Sequence, residues 1–181
     1  MNRHTWAWVG LGWLLSWGAL ASEPILQPIA SLDVKRYMGT WYEIAKYPNW
    51  FQRKCVRNTY ANYQVLGPGK VQVLNRCVTA EGQTIEAAGL ARQIGAADSP
   101  RLEVRFAPEW LSFIPLVWGD YWVIDLDEAY QLVAVSEPKR QYLWVLSRTQ
   151  EVQPAALEAL FARLKARGFD LNKLETTPQQ P

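Results

Sequence analysis

An all-β fold with one late helix is predicted, an antiparallel sandwich or barrel, and three observations predict it. Eight short strand-like runs lie between residues 40 and 147, separated by glycine- and proline-marked turns at regular spacing. Only after residue 154 does the apolar period change from that of a strand to that of a helix. What remains after an N-terminal leader is set aside is the length of one domain.

The leader comes first. Arg3 supplies a short positive start, residues 6–20 form an uncharged apolar run, and Ala19-Leu20-Ala21 places small residues before Ser22. This pattern reads as a secretory signal peptide, residues 1–21, cleaved after Ala21. The alternative is an uncleaved anchor, for which the run is short, since a span needs ~20 apolar residues. Residues 22–32 are an extended lead with Pro24 and Pro28, and residues 32–37 read as one helical turn.

The first predicted strand covers 40–47, with imperfect alternation. A loop carrying Trp50 and Phe51 leads to the second strand, 55–66. Gly67-Pro68-Gly69 turns the chain, because glycine supplies positive φ and proline fixes the bend. The third strand, 70–78, makes a hairpin with the second. Glu81-Gly82 leads into the fourth, 84–94, where Ala87, Ala88, Gly89 and Ala91 leave room on the interior unless larger neighbours fill it. The fifth, 101–106, sets Leu102, Val104 and Phe106 against Arg101, Glu103 and Arg105, one apolar and one wet face.

Residues 107–119 form an unusually apolar connection, with Trp110, Phe113, Leu116 and Trp118. Strands at 120–126, 130–135 and 141–147 follow. Pro154 suits a first helical position, and Ala156, Leu157, Leu160, Phe161 and Leu164 recur at helical spacing. Arg163, Lys165 and Arg167 lie toward the end of that helix, where its dipole favours cations, and Gly168 stops it. A short edge strand is expected at 169–174 and a flexible tail at 177–181.

Removing the leader takes Arg3 and no acid, lowering the formal charge from +2 to +1. Such a balance argues against nucleic acid, which calls for a clustered basic face. The one histidine, His4, leaves with the leader. A Ser-His-Asp triad, a Cys-His dyad and a histidine-based zinc site are thereby excluded. Asp125 with Asp127 is the remaining acid–base pair, at a strand end, and the chain is read as non-enzymatic, with no metal and no cofactor. Export places Cys55 and Cys77 where pairing is the default.

Three stretches carry a family likeness: Tyr37-Met38-Gly39-Thr40-Trp41-Tyr42-Glu43-Ile44-Ala45, Asp125-Leu126-Asp127-Glu128-Ala129-Tyr130, and Tyr142-Leu143-Trp144-Val145-Leu146-Ser147-Arg148. In this order the chain resembles the lipocalins, in the branch of bacterial lipocalins and apolipoprotein D, over residues 28–176. The resemblance implies an eight-stranded antiparallel up-and-down barrel with one flanking helix, the lipocalin domain spanning 22–176. It implies that Gly39 and Trp41 open the first strand, that Trp41 plugs the closed end under Arg148, and that Asp125, Asp127 and Tyr130 hold that end by hydrogen bonds. An eight-stranded barrel is just wide enough for one small ligand. The branch takes fatty acids, lysophospholipids or similar ligands, and the matching positions put Trp144 and Trp118 on the pocket wall, with Tyr121 and Tyr142 as further candidates; core packing is the alternative for each of these aromatics.

If the first strand starts at the closed end, residues 107–119 and the loop with Trp50 and Phe51 fall at the mouth. That apolar mouth suits lipid access or transient membrane contact, a homodimer of an otherwise monomeric protein, or packing as a lid. Many bacterial members end their signal in an acylated cysteine. Here Ala21-Ser22 stands instead, so a soluble periplasmic or secreted protein without an acyl anchor is expected. The function this implies is storage or transport of small hydrophobic ligands in the cell envelope. The alternatives are a partner-docking protein and a carrier of a pigment-like ring ligand.

Overall fold

The computed structural model describes residues 25–108 and 111–180, so the leader and Trp110 lie outside the described residues. A short helix α1 (Val34–Tyr37) precedes β1 (Gly39–Lys46), β2 (Arg57–Gly67), β3 (Lys70–Val78), β4 (Thr84–Gln93), β5 (Arg101–Arg105), β6 (Gly119–Leu126), β7 (Leu132–Ser136) and β8 (Leu143–Ser147). Helix α2 (Pro154–Ala166) and a two-residue strand β9 (Glu175–Thr176) follow. Each strand from β2 to β8 pairs antiparallel with the next. Then β8 pairs with β1, and β1 pairs back with β2. The result is the expected closed eight-stranded antiparallel barrel with one C-terminal helix.

Strand alternation sorts the apolar residues into two cores. Trp41, Tyr63, Val73, Val123, Val133 and Leu146 belong to the inner one. Ile44, Ile124, Ala134, Val145, Leu160 and Leu164 pack between the barrel's outer wall and α2. Two bulges make both cores possible. One lies in β1 between Glu43 and Ala45, the other in β6 between Val123 and Asp125. Each inserts one residue and exchanges the inward and outward sets beyond it. The imperfect alternation of the first strand has its cause here: Trp41 and Glu43 face inward before the bulge, and Ala45 faces α2 after it.

The closed end is built from α1 and the β6–β7 turn. Asp33 caps α1 by accepting from the Arg36 amide. Gly39 sits at φ 93°, where a side chain is strained and its Cβ would meet the Arg148 guanidinium at 3.4 Å. Trp41 is fully buried, donates its indole N–H to the Tyr37 carbonyl at 2.8 Å, and lies 4.0 Å beneath Arg148. Arg148 in turn donates to the carbonyls of Arg36, Thr40 and Tyr130. Asp127 accepts from the amides of Ala129, Gln131 and Leu132, which fixes the turn. Tyr130, at φ 59°, accepts from the Asp33 amide. Asp125 does not join this group. Beyond the β6 bulge it faces outward, and it takes a bidentate pair from Arg163 that ties α2 to the wall.

Cys55 and Cys77 form the expected disulfide, joining the end of the β1–β2 loop to β3. The C-terminus departs from expectation. Residues 171–173 make a 3-10 turn capped by Asp170 rather than part of an edge strand, and pairing resumes at β9. Residues 177–180, expected as a flexible tail, lie in the seam where β1 and β2 splay apart. The Thr177 amide donates to the Ile44 carbonyl and the Asn58 amide to the Pro178 carbonyl. The Gln179 side chain donates to the carbonyls of both Glu43 and Thr59. The splayed strands leave backbone groups without ladder partners, and the tail satisfies them.

Candidate functional site: the barrel interior

The floor of the interior carries three tyrosines from three elements: Tyr37 at the end of α1, Tyr63 on β2 and Tyr121 on β6. The Tyr121 hydroxyl lies 2.7 Å from that of Tyr37 and 3.0 Å from that of Tyr63. The Tyr37 ring stacks on Tyr63 at 5.7 Å and leans on Trp41 at 5.0 Å. Burial pushes the Tyr63 phenol up to about 12, and it raises Tyr37 and Tyr121 as well. All three therefore remain protonated hydrogen-bond donors at neutral pH. Tyr37 and Tyr63 are buried, and Tyr121 is partly buried as a residue.

Toward the mouth Trp144, on the inner face of β8, stacks at 5.8 Å on Tyr142, the residue that precedes the strand. Phe51 of the β1–β2 loop lies over both, 5.6 Å from Tyr142 and 6.1 Å from Trp144. Gln52 anchors this arrangement. Its amide oxygen accepts from the Trp144 indole at 2.9 Å, and its amide nitrogen donates to Glu43 at 2.6 Å. Glu43 is 2 % exposed and also accepts from the Thr177 hydroxyl of the C-terminal segment. Its carboxyl is raised, chiefly by burial, against which the hydrogen bonds from Thr177 and Gln52 and the charge of Lys46 act. Lys46, on the same face beside Trp144, is paired with Glu175 at 2.6 Å.

The walls between floor and mouth are mostly valines and alanines, among them Ala61, Val73, Ala91, Val123 and Val135. Gly89 has a steric reason. A Cβ there would stand 2.7 Å from the ring of Phe106, which folds inward across β4. At the rim Trp50 is 71 %, Phe113 77 % and Leu116 93 % exposed. A groove of about 820 Å³ lies at the closed end, among Val34, Val65, Pro68 and Asp98; it reaches Leu32, Val71 and Leu102 of the inner core and contains none of these aromatic residues.

Of the four lining residues expected, Tyr121, Tyr142 and Trp144 face the interior, and Trp118 does not. Gly119 pairs with Val104, which gives Trp118 the outward parity of Asp120 and Trp122. Its ring lies on the outer wall, 4.1 Å from the Arg92 guanidinium and 5.2 Å from that of Arg105, and its indole donates to the Ser112 carbonyl. Trp118 thus pins the apolar loop to the outside of the barrel. Tyr37 and Glu43 belong to the first signature stretch without a role of their own there, and Tyr63 and Gln52 lie outside all three stretches. Tyr63 had a signal, since it follows Ala61 by two residues on the strand opposite Trp41.

Residues 32–179 match the family model described as a lipocalin-like domain. The chain is 36 % identical over 155 residues to temperature-induced lipocalin-1 of Arabidopsis thaliana, covering 85 % of this chain and 83 % of that protein. It is 35 % identical over 165 residues to the outer membrane lipoprotein Blc of Vibrio cholerae, covering 90 % and 92 %. Among solved structures, insecticyanin from the tobacco hornworm Manduca sexta superposes with a TM-score of 0.66 at 18 % identity, over 87 % of this chain and 91 % of that one. The barrel, its tryptophan plug under an arginine and these relatives agree, and the chain belongs to the lipocalin family, whose members generally bind small hydrophobic ligands.

Proposed function

We propose that this protein stores or carries lipid-like amphiphiles, fatty acids or lysophospholipids, inside the barrel and outside the cytoplasm. The observation that carries this reading is the run of inward aromatics, Tyr121, Tyr142 and Trp144, leading from a polar floor to an apolar rim. An aqueous carrier needs such a bore, and the Cys55–Cys77 bond suits an oxidising compartment. Burial of about fourteen methylenes at ~0.8 kcal/mol each gives ~11 kcal/mol. Subtracting an association cost at its lower end, ~4 kcal/mol, leaves ~7 kcal/mol, a dissociation constant near 10 µM before any head-group contact.

Tryptophan-fluorescence titration with a long-chain fatty acid tests this. Trp144→Ala weakens binding tenfold or more while melting stays close to wild type. Unchanged affinity removes Trp144 from the site.

The exposure of Leu116 and Phe113 favours transient contact of residues 107–119 with a membrane during loading. Leu116→Glu with Phe113→Glu then reduces co-sedimentation with phospholipid vesicles and slows transfer from them, with affinity for free fatty acid unchanged. Equal co-sedimentation of wild type and variant contradicts this contact.

A further inference from the structure

We propose that a carboxylate-headed amphiphile binds head-first, its carboxylate on the tyrosine hydroxyls at the floor and its hydrocarbon running past Trp144 to the rim. The inference rests on the reading of the barrel as a lipid carrier and adds the direction of the ligand within it.

The first argument is a count of protons. Tyr37, Tyr63 and Tyr121 bring three O–H groups, but only two oxygen–oxygen contacts join them. One hydroxyl proton is left without a partner in the cluster. Tyr121, shared by both contacts, is the one member of the three that is only partly buried. An ionised carboxylate only accepts hydrogen bonds, so it complements a donor-rich floor. A buried donor without an acceptor costs free energy that such a ligand restores.

The second argument is the distribution of charge. Arg148 stands behind Trp41 at the floor, and its charge acts on both Tyr37 and Tyr63. On the mouth half of the inner wall two carboxylates, Glu43 and Glu175, surround one ammonium, Lys46, which Glu175 already engages. Glu43 has its own donors in Gln52 and Thr177. An anionic head at the level of Trp144 therefore finds the one cation there already engaged, beside a second carboxyl, whereas one at the floor meets donors and a cation. The apolar mouth completes the pattern, because Phe51, which lies against Trp144, and the exposed Trp50 match the end of a hydrocarbon chain. The competing arrangement places the head outside, on Arg53 and Lys54 of the β1–β2 loop.

The test is carbon NMR of the full chain with palmitate labelled at its carboxyl carbon, titrated across the pH range where free fatty acid ionises. Head-first binding gives a bound resonance that does not titrate with the solvent. That resonance shifts in Tyr121→Phe and stays in place in Arg53→Gln/Lys54→Gln. Tyr121→Phe also weakens palmitate about tenfold, the loss of one hydrogen bond to a charged group, and weakens its methyl ester less than threefold. A bound resonance that titrates freely and responds to Arg53→Gln/Lys54→Gln but not to Tyr121→Phe overturns the inference and leaves the carrier reading standing. Absence of any bound resonance overturns both. The wild-type titration decides the direction even if the tyrosine variant fails to fold.

Discussion

Replacing Arg148 by alanine separates the residues that hold the barrel closed from those that hold its ligand. Three contributions are lost. The guanidinium over Trp41, 4.0 Å from the ring centroid, is worth ~1–2 kcal/mol when partly desolvated. Hydrogen bonds to the Thr40 carbonyl at 2.9 Å and the Arg36 carbonyl at 2.7 Å follow, with a longer one to Tyr130 at 3.3 Å. Charged donors buried in protein give ~1.5–3 kcal/mol each, but Arg148 is partly exposed, so ~0.5–1 kcal/mol apiece is the appropriate scale. The total is about 2.5–5 kcal/mol. For a domain of this size each kcal/mol moves the midpoint by ~2–4 °C, so the melt is expected to fall by about 5–20 °C. Lysine at this position restores a charge over the indole but not a fork that reaches three carbonyls, and recovers less than half of the loss. The assay is thermal melting by near-ultraviolet circular dichroism, which reports the packing of Trp41, with affinity for a neutral apolar ligand measured on the folded protein at 20 °C. Affinity within twofold of wild type is expected. A melt within 2 °C of wild type together with a collapse in that affinity would refute the structural assignment and move Arg148 into the ligand site.

Two further perturbations test other parts of the account. Because burial raises the Glu43 carboxyl above 4.5, the folded state holds that proton more tightly than the unfolded chain does. The associated stability is complete below 4.5 and is lost as pH rises through the folded value, with Lys46 and Glu175 as the neighbouring charges. Glu43→Gln accepts from Gln52 and donates to Thr177 without a charge, so at pH 7 it melts at or above wild type, and the gap narrows as pH falls toward 4.5. A variant clearly less stable at pH 7 shows that the charged hydrogen bonds outweigh desolvation. Removing both cysteines, which close a separation of 22 residues, costs about 3 kcal/mol by the loop-entropy relation, read as a lower urea midpoint. No change in midpoint contradicts that cost.

Most of the fold could be read from the chain because its signals are local. Turn glycines and prolines separate the strands, the switch to helical period announces α2, and three spaced motifs identify the closed end. The site was legible where strand parity runs unbroken, as from Arg148 back through Leu146 and Trp144 to Tyr142. It failed where parity is interrupted or undefined. Trp118 precedes the first residue of β6, so its side follows from the pairing of Gly119 with Val104 and from Arg92 and Arg105, none of them near in sequence. Glu43 looks like an outward charge in an apolar strand. It is buried because the bulge after it turns the following residues toward α2 while Gln52 and Thr177 supply its hydrogen bonds. The tail at 177–180 has the polar, proline-bearing composition of a frayed end. Its order comes from the gap between β1 and β2, which no short stretch of sequence reveals.

Native mass spectrometry of the protein purified from its own compartment, followed by solvent extraction, tests the carrier claim most directly. A fatty acid or lysophospholipid that co-purifies at one per chain, and is displaced in Trp144→Ala, is the expected result. A barrel that arrives empty and ignores added fatty acid in fluorescence titration would contradict the account.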